Sequence, residues 1–117
     1  MGRESLHDSA AAAGIIDVAH LMRMTFEEKA LAVLGLFDRQ AEMLLARMQQ
    51  ASPRDLSVCA HTLAGSARGV GAWEVAAAAV QVELAAGNVA AIGECVRRLE
   101  AAIRAARAVI AELLSAS

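Results

Sequence analysis

Apolar residues recur along this chain at helical spacing. Phe26, Ala30, Val33, Phe37, Ala41, Leu44 and Met48 follow one another at intervals of 4, 3, 4, 4, 3 and 4. A helix turns once per about 3.6 residues, so this set forms one face of a helix running from 26 to about 50. Glu27, Asp38, Arg39, Glu42, Arg47 and Gln49 occupy its other faces. Thr25, followed three residues later by Glu28, supplies a capping box at its start. Ser52-Pro53 then restarts the chain: serine caps, proline suits the first helical position, and Asp55 favours the positive helix end. This second helix should reach about Gly69, where Gly69-Val70-Gly71 weakens it. Ala72 opens a third, to about Ala86, with Gly87 as a left-handed stop and Asn88 as the next cap. Val89, Ile92, Val96, Leu99, Ile103, Ala106, Ile110 and Leu113 then alternate at intervals of 3 and 4, the seam of a bundle helix.

A short helix over Ile16–Met24 precedes these four, behind a flexible tail at 1–14 without periodicity. Short connections force consecutive helices to lie antiparallel. The expected fold is all-α: an up-down-up-down antiparallel four-helix bundle over 15–117, with a short extra N-terminal helix covering one end. The alanine-rich segment from Ala72 to Ala86 has few large side chains and should let its neighbours approach closely.

Composition supports this. About a quarter of the residues are alanine and only one is proline, which favours helix over sheet. Lys plus Arg number 11 against 13 Asp plus Glu, so no basic excess points to nucleic acid. The richest apolar stretch, Val75 to Gly93, is interrupted by Gln81, Glu83 and Asn88, so no membrane span is expected. His7, Asp8 and Ser9 stand where an export signal would be apolar. Cys59 and Cys95 lack CxxC spacing and fit reduced thiols in a cytoplasmic helical core. The Met22, Met24, Met43 and Met48 set reads as core filling, Trp73 as packing, and His20 as packing or hydrogen bonding.

The segment Leu56–Ala72, LSVCAHTLAGSARGVGA, carries the candidate chemistry. On a helical wheel Leu56, Cys59, Ala60, Leu63, Ala67 and Val70 form the buried stripe. His61 lies roughly 140° from its centre and points to solvent. Gly65, one turn on, shares that exposed side, with Arg54, Ala64 and Arg68 flanking. An internal glycine costs about 0.5–1 kcal/mol relative to alanine. Either Gly65 and Gly69 mark a fraying helix, or Gly65 leaves room for a partner or transferred group to approach His61. A metal site from His20, Cys59, His61 and Cys95 lacks ligand spacing, and paired inward Glu-x-x-His ligands are absent. No phosphate-binding loop is present for ATP.

His61-Thr62-Leu63-Ala64-Gly65-Ser66, followed by small and apolar residues and Gly71-Ala72, resembles the motif of histidine phosphotransfer (HPt) domains. That motif reads His-x-Leu-Lys-Gly-Ser with a Gly-Ala some ten positions after the histidine. Val82-Glu83 stands where the family often has an apolar-Glu pair, and the resemblance runs over about 16–114 in helix order. It implies a phosphorelay intermediate, a phosphohistidine carrier without kinase activity of its own. Nε2 of neutral His61 would attack a receiver-domain phosphoaspartate in line and pass the phosphoryl group to another receiver aspartate. A neutral imidazole is a nucleophile near pH 7. No cofactor is expected on this chain; the divalent metal would come with the receiver. The implied partners are response-regulator receiver domains and hybrid sensor kinases, with no nucleic acid or membrane, and the chain is expected to be monomeric.

The expected docking surface is Arg54, Ser57, Val58, Ala64, Gly65 and Arg68 around His61, with Ser66 in support. One departure matters: Ala64 stands where the family has a lysine near the phosphoryl group. Either Arg68 takes part of that role, or the chain is a slower or degenerate relay. Arg68 can equally be a solvated surface arginine. The rival reading is a non-catalytic helical-bundle adaptor that binds receivers or kinases without phosphotransfer.

Overall fold

The structure is a computed structural model that describes residues 14–25 and 27–116. Among the described residues the chain forms five helices: α1 Val18–Met24, α2 Glu27–Met48, α3 Pro53–Val70, α4 Trp73–Ala85 and α5 Val89–Ala116. The tail expected at 1–14, but for Gly14, lies outside them, as do Phe26 and the Glu28 side chain of the expected cap. Helices α2 to α5 form the up-down-up-down bundle. Each packs on its successor, and α2 against α5 closes the ring. The rod measures 48 × 21 × 21 Å.

Local chemistry sets the boundaries. Ser52 Oγ accepts the Asp55 amide N–H at 3.3 Å, starting α3 with Pro53 in its first turn. Helix α3 passes through Gly69 and ends one residue later. There Gly71 takes φ +78°, its N–H donating to the Arg68 carbonyl and that of Ala72 to Ala67. Asn88 Oδ1 accepts from Ala90 and Ala91 N–H at 3.1 and 3.3 Å, capping α5. Helix α1 starts at Val18 rather than Ile16, because the Asp17 carboxylate caps it through the His20 amide N–H at 2.9 Å.

The core contains no buried charged or polar residue among those described. Leu34, Leu63, Leu99, Ile103, Ile110 and Leu113 are at most 2% exposed, and each such side chain contributes about 1.5–3 kcal/mol. Ala76 and Ala79 of α4 and Ala60, Ala64 and Ala67 of α3 are also buried, so these two helices meet through small side chains. The α5 seam departs from its pattern at the start. Val89 is 92% exposed, and Ile92 and Val96 are only half-buried. Periodicity records which residues share a face; burial also needs a neighbour at that level of the rod. Met24 and Met43, expected in the core, are both 65% exposed for the same reason. Arg107 of α5 ties the ring shut. Its Nε donates to Asp38 Oδ1 at 2.8 Å and its Nη2 to Glu42 Oε2 at 2.6 Å, both on α2.

Helix α1 is fastened to the α3–α4 turn. The Asp17 amide N–H donates to the Gly71 carbonyl at 2.8 Å, and the Trp73 indole N–H donates to Asp17 Oδ2 at 2.8 Å. The His20 ring meets Trp73 edge-on at 4.9 Å. Trp73 is therefore a hydrogen-bonding latch that stays 45% exposed, more than a packing residue.

Candidate functional site

Helix α3 positions the site. Leu56, Cys59, Ala60, Leu63, Ala67 and Val70 are buried and lock its rotation in the bundle. His61 projects from the opposite side, its side chain 77% exposed. Its Nδ1 lies 3.0 Å from Oε2 of Glu83 on α4. An ionised carboxylate only accepts hydrogen bonds, so Nδ1 carries the proton and donates it. In the neutral ring Nε2 then keeps its lone pair, the arrangement a nucleophile requires. The ring is thereby oriented as well as exposed.

Glu83 stood out in the sequence as part of Val82-Glu83, but without a role. Its pairing with His61 follows from the α3–α4 hairpin. The turn centres on Ala72, and residues 61 and 83 are equidistant from it. A carboxylate in the last turn of a mostly apolar helix, next to Val82, was the available signal.

The other expected residues divide. Arg54, Val58, Gly65 and Arg68 are exposed on the His61 side of α3; Ser57 and Ser66 are half-buried at its edges. Ala64 does not belong to that surface: it is 1% exposed and lies inside the bundle. The wheel placed it beside His61, yet α3 packs on α4 as well as α2. The second neighbour widens the buried sector to include position 64. A β-carbon built at Gly65 or at Gly69 would meet nothing within 4 Å, so both face open space. Cys59 is buried while His61 is exposed, so the two do not converge.

One feature escaped sequence reasoning altogether. A groove of about 470 Å³ runs between α2 and α3, lined by Val33, Leu36, Phe37, Gln40, Ser66, Gly69 and Val70. It needs two helices side by side, which neither helix's own pattern contains. Leu36, 59% exposed, forms part of its wall.

A family model of the Hpt domain matches residues 32–109 of the 117. The chain belongs to the Hpt domain family. Comparison with curated proteins and with solved structures found no match. Hpt domains pass phosphoryl groups through a histidine in phosphorelays, exchanging them with receiver domains and kinases of two-component systems. The Hpt match takes in His61, Glu83 and both walls of the groove. Helix α1 and its fastening residue Asp17 fall outside it. No described helix is long and apolar enough to cross a membrane.

Proposed function

We propose that this chain is a phosphorelay intermediate that accepts a phosphoryl group on His61 Nε2 from a receiver phosphoaspartate and delivers it to a second receiver. The observation that carries this reading is an outward imidazole whose Nδ1 proton is held by Glu83 at 3.0 Å. In the forward step the Nε2 lone pair forms a bond to phosphorus. The acyl P–O bond breaks, and its electron pair leaves with the aspartate carboxylate. The phosphorylated ring is then cationic, with its proton on Nδ1 against the Glu83 carboxylate. Phosphoryl transfer rests on positioning and charge stabilisation, and the oriented ring supplies the positioning. The divalent cation that assists the acyl phosphate belongs to the receiver.

The open flank at Gly65 and the apolar groove beside it fit a partner that must cover His61 during transfer. Hybrid sensor kinases and response regulators both present such receiver domains. The α5 seam from Leu99 to Leu113 is consumed by the chain's own core, which supports a monomer. The free thiols Cys59 and Cys95 suit the cytoplasm. The decisive experiment mixes the chain with a phosphorylated receiver. Acid-labile, base-stable phosphate on the chain supports the relay; binding without transfer establishes the adaptor instead. ATP alone should leave the chain unlabelled.

Two substitutions probe the site's geometry. Glu83→Ala removes the group that fixes the tautomer, so phosphoryl acceptance should slow about tenfold, the equivalent of one charged hydrogen bond. Circular dichroism should stay unchanged, and single-turnover transfer kinetics measure the loss. Gly65→Leu has space to fold, since nothing lies within 4 Å of its added carbon. It should nevertheless obstruct the partner, raising the receiver concentration needed for half-maximal rate. Unchanged transfer would remove the reason given for this glycine.

A further inference from the structure

Helix α3 carries two arginines in line with His61, and they are not equivalent. Arg54 precedes His61 by seven residues and Arg68 follows it by seven, so all three share one edge of the helix, about 10 Å apart along its axis. Both arginines are exposed. Neither has a carboxylate partner among the described residues, whereas Arg97, Arg98, Arg104 and Arg107 each have one. Side chains on a helix lean toward its N-terminus. Arg54 therefore leans away from His61, and Arg68 leans toward it. Between them lie buried Ala64 and open Gly65, which leave the path along the helix edge clear. On the facing helix, residues 76 to 80 are Ala, Ala, Ala, Ala and Val, with no acid to capture the guanidinium. Glu83, the acid at the level of His61, is already engaged with Nδ1.

We propose that Arg68 is the residue of this chain that binds the phosphoryl group carried by His61, folding back over Gly65 to reach it. The inference rests on the reading of His61 as phosphoacceptor and adds the cation that reading lacks. The phosphoryl oxygens develop negative charge on a ring whose other nitrogen already faces a carboxylate. A guanidinium presents parallel N–H donors that match those oxygens. Ala64 offers no such group. Arg68 also stands in the last turn of α3, where a cation complements the helix dipole. That purely structural role would change thermal stability and nothing at the phosphoryl group.

The test uses the full chain and phosphoramidate, a small donor that needs no partner protein. His61 Nε2 bonds to phosphorus, the P–N bond of phosphoramidate breaks, and the nitrogen leaves as ammonia. Phosphorus NMR follows the rate of phosphohistidine formation and the pH at which its phosphoryl group titrates. Arg68→Gln should slow formation about tenfold, as loss of one charged hydrogen bond does. It should also move the phosphoryl titration to higher pH, because no cation then favours the more charged form. Arg68→Lys should recover part of both effects. Arg47→Gln, an exposed arginine on α2 with no carboxylate partner among the described residues, should leave both close to wild type. Wild-type rate and titration in Arg68→Gln, whatever its melting temperature, overturn the proposal. Equal effects of Arg47→Gln and Arg68→Gln overturn it too, by reducing it to bulk charge. If wild type shows no phosphohistidine resonance at all, the reading of His61 as phosphoacceptor falls and this proposal with it.

Discussion

Replacing His61 with glutamine is expected to abolish phosphoryl acceptance while leaving the bundle intact. Glutamine retains a polar side chain of similar reach but has no ring nitrogen with a free lone pair to attack phosphorus. The side chain is 77% exposed and, among the described residues, makes one hydrogen bond, to Glu83. Exposed substitutions of this kind change stability by no more than about 0.5 kcal/mol. Label transferred from a phosphorylated receiver should therefore disappear, with the far-ultraviolet circular dichroism and melting curve nearly superimposable on wild type. Residual acid-labile, base-stable label in this variant would place the acceptor on another residue. His20 is the other described histidine. Its ring packs on Trp73 and its Nε2 is buried without a partner, so that nitrogen is closed to a receiver.

The second large effect concerns stability and lies at the far end of α3. Gly71→Ala should destabilise the fold by roughly 2–4 kcal/mol, from two costs that act together. At φ +78° the backbone is in the left-handed region, where a β-carbon crowds its own carbonyl. The same carbon would stand 2.8 Å from the Asp17 carbonyl oxygen and 2.9 Å from the Asp17 β-carbon. Relieving that contact means pulling α1 off the turn, which breaks the Asp17-to-Gly71 backbone bond and the latch to Trp73. Urea unfolding followed by circular dichroism gives the global loss. The single tryptophan, Trp73, gives the local one. Gly65→Ala is the matching control. It sits in open space within the helix and should stabilise by about 0.5–1 kcal/mol.

The same latch responds to acid, and the direction follows from Asp17. The Trp73 indole N–H, followed by the His20 amide, lowers its pKa from the ordinary value of 3.8. A carboxyl group more acidic in the folded chain stabilises the fold above its ordinary pKa and loses that contribution as pH falls through the lowered value. Tryptophan emission should accordingly report opening of the latch only below the usual aspartate range.

Which parts of this molecule were legible in advance depended on the distance over which their causes act. The start of α3 needed only Ser52, Pro53 and Asp55, and the stop after α4 needed only Gly87 and Asn88. These are contacts within a turn, so the residue order contains them. The outward aim of His61 was equally local, because six buried residues on one helix leave it a single direction. Residue types at fixed offsets also carried the family motif around His61. Ala64 was misplaced because a single helical wheel has no record of how many neighbours a helix packs against. Val89 was expected in the seam although no part of the bundle covers it at that level.

By itself, then, the residue order determined five helices, their antiparallel course and a histidine aimed at solvent, because each is settled by interactions spanning a few residues or by one helix period. Only the tertiary structure decided which nitrogen of that histidine is available. The Glu83 carboxylate reaches Nδ1 from 22 residues away across a helical hairpin. It alone decided that Gly71 has no room for a side chain, because Asp17 packs against it from another helix. And it alone opened the groove beside Gly69, since that space exists only where α2 and α3 lie side by side.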